Sequence, residues 1–252
     1  MDFTGKVVVL TGASSGIGAV TAKLFAAHGA TLTLIGRNET RLQDVAKACE
    51  KAQGKKPLWL LLDLTANHSC EIIATKTVET FGRIDVLVNC AGKIGITSLF
   101  DATMEGFDEL FAINLRVPYE LTQKCLPHLV KTKGNVVNVY AAPMRVRPGF
   151  LALGMISDAL ERFTKSSAVE LAPEGVKMNA VRPGHTRTRF LENINVDDED
   201  FDDTLEVLAQ MVPNRKIIEP EEVARMILLA ASEMFPNLNA ASLVVDGGGS
   251  VA

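Results

Sequence analysis

Short apolar runs recur along the chain, and each is followed by a longer stretch in which apolar residues return at every third and fourth position. The short runs are rich in β-branched residues and leucine and predict strands at Val7–Leu10, Thr31–Ile35, Leu58–Leu62, Val86–Asn89, Val136–Val139, Lys177–Val181 and Leu243–Val245. The longer stretches predict helices over about Gly16–His28, Glu39–Gln53, Ser69–Phe81, Met104–Leu129, Phe150–Leu171 and Pro220–Ala231. Leu160, Phe163, Ser167 and Leu171 show the helical spacing, with one small residue in the stripe. Strands that alternate with helices pair in parallel through right-handed crossovers, so the pattern predicts an α/β fold: a doubly wound, parallel, seven-stranded sheet with helices on both faces. No internal repeat, linker or low-complexity tract divides residues 1–252, which predicts one domain. The longest stretch without a helical or strand period lies between the sixth strand and the last helix. It carries the acidic run Asp197-Asp198-Glu199-Asp200-Phe201-Asp202-Asp203, and an insertion of this kind reads as an irregular surface segment or a lid.

Composition leaves that picture standing and removes some function classes. A chain of 252 residues, 47% hydrophobic and 22% charged, can close one core. The formal net charge of −4 comes with no basic stripe, so nucleic acid is not expected as a ligand. No apolar stretch reaches the roughly 18 residues needed to span a bilayer, and the start Met1-Asp2-Phe3-Thr4-Gly5-Lys6 runs directly into the first strand; a cytoplasmic protein is expected. Cys49, Cys70, Cys90 and Cys125 lack CxxC spacing or a histidine partner, which predicts reduced core thiols and no metal site.

The candidate chemistry begins where the first strand meets its helix, at Thr11-Gly12-Ala13-Ser14-Ser15-Gly16-Ile17-Gly18. Glycines allow a tight turn and a close approach of backbone to a pyrophosphate, and the helix start presents unpaired N–H groups and a partial positive charge to it. At a strand-to-helix junction opening an alternating α/β chain, this is the signature of a Rossmann-type dinucleotide site. The second strand ends Leu34-Ile35-Gly36-Arg37-Asn38. An acid at that place would bond the ribose hydroxyls of NAD and repel a 2′-phosphate, whereas Gly36 removes it and Arg37 offers a planar guanidinium. NADP(H) is therefore the expected cofactor.

Together these residues resemble the short-chain dehydrogenase/reductase family, and the resemblance runs from Gly5 to about Gly248. Asp63 and Leu64 stand where that family contacts the adenine, and Asn89-Cys90-Ala91-Gly92 is similar to its NNAG motif. Asn114 matches the asparagine of its catalytic tetrad, Pro183-Gly184-His185-Thr186-Arg187-Thr188 resembles the PGxxxT segment beside the nicotinamide, and Val245-Asp246-Gly247-Gly248 resembles its closing motif. The resemblance implies a cofactor site built from Gly12, Ser14, Ser15, Gly16, Ile17, Gly18, Arg37, Asn38, Asp63, Leu64, Asn89, Ala91, Gly92, Pro183, Gly184, Thr186 and Thr188. It also implies a homodimer or homotetramer, paired through the helices at Met104–Leu129 and Phe150–Leu171.

Catalysis in that family uses a tyrosine acid whose pKa is lowered by a lysine one helical turn on, with a serine bonding the substrate oxygen. The only two tyrosines here are Tyr119, followed at i+4 by Gln123, and Tyr140, followed by Met144, so no YxxxK exists. Register taken from Ala159–Thr164 and Glu170–Val176 puts the tyrosine position at Leu153 and the lysine position at Ser157, and Asn138-Val139-Tyr140-Ala141 puts the serine position at Ala141. A one-residue length difference before Pro148 leaves Tyr140 as an alternative for the serine. Of the four catalytic positions only Asn114 is retained, and it suits a structural part. The expectation is a non-catalytic NADP(H)-binding protein acting as a binding module, redox sensor or scaffold, with an unidentified protein partner among the outcomes. The alternative is an NADP(H)-dependent oxidoreductase acting on a carbonyl or alcohol through a rearranged site, with Tyr140 as acid and Arg145, Arg147 or His185 as helpers. A third reading, a structural protein with no cofactor, draws on Ser157, which cannot replace the lysine's hold on the ribose.

Overall fold

A computed structural model of the chain describes residues 1–100, 103–142, 148–190 and 200–252. Seven strands, β1 (Val7–Thr11), β2 (Thr31–Gly36), β3 (Leu58–Leu61), β4 (Val86–Asn89), β5 (Asn135–Val139), β6 (Lys177–Pro183) and β7 (Ser242–Val245), form one sheet in the order β3-β2-β1-β4-β5-β6-β7. Every pairing is parallel. Strands β1 and β4 are buried on both faces, which is why their sequences are near-continuous apolar runs, and β5 is buried over most of its length with Asn135 and Asn138 among its residues. Helices α1 (Gly16–Ala27), α2 (Glu39–Gln53), α3 (Ser69–Phe81), α4 (Met104–Phe111), α5 (Val117–Thr132), α6 (Leu151–Leu171), α7 (Phe201–Gln210) and α8 (Pro220–Ala231) connect them. One core packs Phe25, Leu34, Leu42 and Ile227 against one face of the sheet; a second packs Ile73, Leu87, Leu121 and Leu129 against the other.

The structure departs from the sequence pattern in two places. The apolar period over Met104–Leu129 is not one helix: a π-helical turn, Ala112–Arg116, separates α4 from α5, and α5 runs on to Thr132. Pro118 has no N–H to give to the preceding turn, so the ladder is interrupted at the start of α5. The segment between β6 and α8 is not irregular throughout either, since α7 lies within it. Asp202 and Asp203 occupy its first turn, where the helix dipole favours negative charge, so this part of the acidic run starts a helix. Asp197, Asp198 and Glu199 lie outside the described residues. No helix among the described residues is long and apolar enough to cross a membrane.

Candidate dinucleotide site

The carboxyl ends of the strands border a cleft of about 1360 Å³. It lies where the strand order reverses between β1 and β4, the switch point at which open parallel sheets bind ligands. Thr11 holds the two sides of that point together: its hydroxyl accepts from the backbone N–H of Cys90 and of Ala91, each at 3.0 Å. Gly12 has φ +70°, and a Cβ there would stand 3.0 Å from the Ala91 backbone. A Cβ on Gly18 would stand 2.2 Å from the Gly12 carbonyl oxygen, so α1 can pack this closely under the turn only with glycine at that place. The backbone there is thus drawn tight around the cleft, with α1 beginning at Gly16 and Ser15 before it in extended conformation.

Every residue named above for the cofactor lines this cleft, from Gly12, Ser14, Ser15, Gly16, Ile17 and Gly18 to Pro183, Gly184, Thr186 and Thr188. At the far end Arg37 is exposed, and Asn38 caps α2 by accepting from the Arg41 N–H at 3.0 Å. Arg41, which the sequence reading missed, also lines the cleft, and its Nε is buried without a partner. The missed signal was its place four residues after Arg37, on the first turn of α2. Asp63 accepts from the Thr65 hydroxyl at 2.7 Å and from its N–H at 2.9 Å, and these bonds hold its carboxyl below the usual carboxylate range. It can therefore only accept. Asn89 donates to Asn138 Oδ1 at 2.9 Å, and Asn138 donates to the Thr164 hydroxyl at 3.0 Å, a buried chain that ties β4, β5 and α6. The Asn89 Oδ1 atom is buried without a partner. An orphaned donor and an orphaned acceptor, both on residues of one tightly drawn cleft, fit a ligand such as a dinucleotide that supplies the missing bonds.

At the other end the cleft is lined by Asn114, Ala141, Leu153 and Ser157 together. Leu153 and Ser157 face it from successive turns of α6, each 7% exposed. Asn114 sits in the π-helical turn, donates to the carbonyls of Lys93 at 2.9 Å and Leu110 at 3.0 Å, and accepts from the Lys93 N–H at 3.0 Å. Its amide is thus spent on holding the loop after β4 against α4. Thr204 and Leu208 of α7 and Met211, which caps it, also line the cleft. Arg187 binds Asp202 at 2.9 Å and Glu219 at 3.1 Å, linking the segment after β6 to the first turn of α7 and the start of α8. Arg145 and Arg147 lie outside the described residues.

Tyr140 lines the cleft with its ring, but its hydroxyl donates to Glu161 Oε2 at 2.8 Å. The same carboxylate binds Arg182 at 3.0 Å, Lys165 at 2.6 Å and the Ser242 hydroxyl at 2.8 Å. Arg182 lies 4.9 Å from the Tyr140 ring centroid and donates to the Ala141 carbonyl at 3.1 Å. Burial, and then the bond to the anionic Glu161, push the Tyr140 phenol well above its ordinary pKa. That is the reverse of what a general acid near neutral pH needs. Burial would raise the Glu161 carboxyl too, but bonds from Lys165, Ser242 and Tyr140 and the charge of Arg182 outweigh it and hold the group at about 2. Nothing in the sequence pattern placed Glu161 and Arg182 together, since they stand on different elements. Three cysteines are buried thiols as expected; Cys90 borders the cleft, and burial pushes it up to about 12.

Comparison with known proteins agrees with this geometry. The sequence model of a family described as Enoyl-(Acyl carrier protein) reductase matches residues 12–250. Oxidoreductase UcpA of Salmonella typhimurium is 32% identical over 98% of this chain and 95% of its own. The 3-oxoacyl-[acyl-carrier-protein] reductase FabG of Thermotoga maritima is 32% identical over 98% of this chain and 99% of its own. Among solved structures, a short-chain dehydrogenase/reductase of unknown function from Caenorhabditis elegans, crystallised with cofactor, superposes with a TM-score of 0.92 at 33% identity, covering 99% of this chain and 97% of that one. Levodione reductase superposes with a TM-score of 0.92 at 30% identity over 99% of each chain. With a parallel sheet in this order, a glycine turn at its switch point and relatives matched over nearly the whole length, the chain belongs to the short-chain dehydrogenase/reductase family.

Proposed function

We propose that this protein binds NADP(H) in the cleft and has lost the proton-coupled reduction of carbonyls, acting as a dinucleotide-binding module, redox sensor or scaffold. One observation carries the reading: the residues suited to a dinucleotide line one cleft together with Ala141, Leu153 and Ser157, the residues that stand where the family resemblance puts the serine, tyrosine and lysine. NADPH, when bound, supplies a hydride. Gly12 to Gly18 and the start of α1 would hold its pyrophosphate, Asp63 and Leu64 its adenine, and Asn89 to Gly92 with Pro183 to Thr188 its nicotinamide half. Leu153 presents no proton to a substrate oxygen, and Ser157 carries no ammonium to lower the pKa of any phenol. The alternative with Tyr140 as acid is disfavoured because that hydroxyl is engaged by Glu161 at 2.8 Å. The relatives' names describe oxidoreductases and reductases, and the present reading departs from them at the proton-donating positions only.

NADP(H) over NAD(H) is supported by Arg37, which follows β2 where Gly36 leaves no ribose-binding acid, and by the orphaned Nε of Arg41 on the first turn of α2. Calorimetric titration should give NADPH binding tighter than NADH, with Arg37→Ala weakening NADPH about tenfold and leaving NADH nearly unchanged. Equal affinities for the two would refute the preference.

We also infer self-association through α5 and α6, where Tyr119 is 57% and Val169 73% exposed. Light scattering at micromolar concentration should give a dimer or tetramer mass. A monomer would leave these faces for a different protein.

A further inference from the structure

We propose that Arg182 is a positioning residue for the nicotinamide half of the bound dinucleotide: buried behind the cleft, it ties the end of β5, the end of β6 and helix α6 to one another. This rests on the reading that NADP(H) lies in the cleft with its nicotinamide half against the segment that begins at Pro183.

The argument starts from a missing rung in the sheet. Past Val139, the chain of β5 continues beside β6 through two backbone bonds: the Tyr140 N–H donates to the Val181 carbonyl at 3.3 Å, and the Ala142 N–H to the Pro183 carbonyl at 2.8 Å. In a parallel ladder, a residue whose carbonyl accepts from the neighbouring strand also donates its own N–H to that strand. Residue 183 is proline and has no N–H to give, so the return bond to the β5 side cannot form there.

The Arg182 side chain supplies that connection. Its Nε donates to the Ala141 carbonyl at 3.1 Å, and its other arm binds Glu161 Oε2 of α6 at 3.0 Å. The planar fork of a guanidinium fixes the angle between the two bonds, so one side chain sets the spacing of three elements. All three border the same end of the cleft: Ala141 and Ala142 line it from β5, Pro183 and Gly184 from β6, and Leu153 and Ser157 from α6. Gly184 is held in turn by donating its N–H to the Val245 carbonyl at 2.9 Å. The adenosine end, around Arg37 and Asp63, is built after β2 and β3, on the far side of β1. Loss of Arg182 therefore loosens one end of the cleft. A wall already fixed before binding spares the ligand the cost of ordering it, so a loosened wall weakens the contacts of the nicotinamide half alone.

The test compares two ligands by calorimetric titration: NADPH, and adenosine 2′,5′-bisphosphate, which has the phosphorylated adenosine half and no nicotinamide. Arg182→Met leaves Glu161 with its bonds from Lys165, Tyr140 and Ser242, so no buried charge is left alone. The variant should bind NADPH about tenfold more weakly and the bisphosphate within about twofold of the parent. At saturating NADPH, its nicotinamide fluorescence anisotropy should also fall below the parent's. If Arg182→Met is too unstable to titrate, Glu161→Leu with Arg182→Met removes both charges and should show the same split. Equal weakening of both ligands would make Arg182 a purely structural residue and overturn the proposal, as would no change in either. A parent protein that binds the bisphosphate as tightly as NADPH would overturn it too, while leaving the function proposed above intact. Failure of the parent to bind NADPH would overturn both.

Discussion

Glu161→Leu should destabilise the protein by about 3–5 kcal/mol, because it leaves the guanidinium of Arg182 buried without its anion. Arg182 has a side chain only 6% exposed, and Glu161 is the carboxylate it binds. Tyr140 and Ser242 would lose their acceptor at the same time. In a chain of this size each kcal/mol moves the thermal midpoint by roughly 2–4 °C, so the shift is readily measured by calorimetry. Replacing the pair together, Glu161→Leu with Arg182→Met, should recover much of the loss, since an apolar pair of similar volume removes both charges. A double variant as unstable as the single one would mean that the ion pair is not what Glu161 contributes. The pH dependence has a defined sign. A carboxyl at about 2 in the folded chain against an ordinary 4.5 contributes stability that is complete above pH 4.5 and lost as pH falls toward 2. The Glu161→Leu variant should therefore show a flatter acid limb between those values.

The second large effect is a gain. Ala141→Ser, Leu153→Tyr and Ser157→Lys together should give the NADPH-loaded protein carbonyl reductase activity about 10²-fold or more above the parent, through a proton donor, a bond to the substrate oxygen and an ammonium that lowers the phenol's pKa. Leu153 and Ser157 already face the cleft from successive turns of α6, and Asn114 already holds the loop opposite, so the backbone for the site is in place. Steady-state NADPH oxidation with a panel of aldehydes and ketones checks this. Leu153→Tyr alone should give much less, since a tyrosine without the ammonium keeps a high pKa. If the triple variant stayed at the parent's level, the chamber beyond the three positions would have to exclude carbonyl substrates by itself.

Much of this was legible in the sequence because the signals were local. The glycine turn, Arg37 and the alternating pattern are read within one element or across one junction; the strands fall within a residue or two of the sequence pattern, and the glycine turn and Arg37 line the cleft. That Leu153 and Ser157 share one face of a helix was legible because register could be counted along that helix. What was not legible depends on elements meeting in space. Glu161, Tyr140, Arg182 and Ser242 come from α6, the end of β5, β6 and β7, and only the folded sheet brings them onto one carboxylate. Tyr140 therefore read as a free acid. Helix α7 was missed because it is short, with Leu205 its one buried residue, and its acidic first turn looked like solvated surface. The break between α4 and α5 was missed because the apolar period runs through it, while the π turn is set by Pro118 and by Asn114 reaching the loop after β4.

The central claim is that the cleft holds NADPH with no proton donor for a carbonyl, and a single-turnover assay tests it most directly. Protein saturated with NADPH is mixed with excess of each member of an aldehyde and ketone panel, and nicotinamide fluorescence is followed. The account predicts that the bound NADPH signal persists, with oxidation no faster than in a relative disabled by replacing its catalytic tyrosine with leucine. Rapid oxidation by the unmodified protein, abolished by Tyr140→Phe, would contradict it.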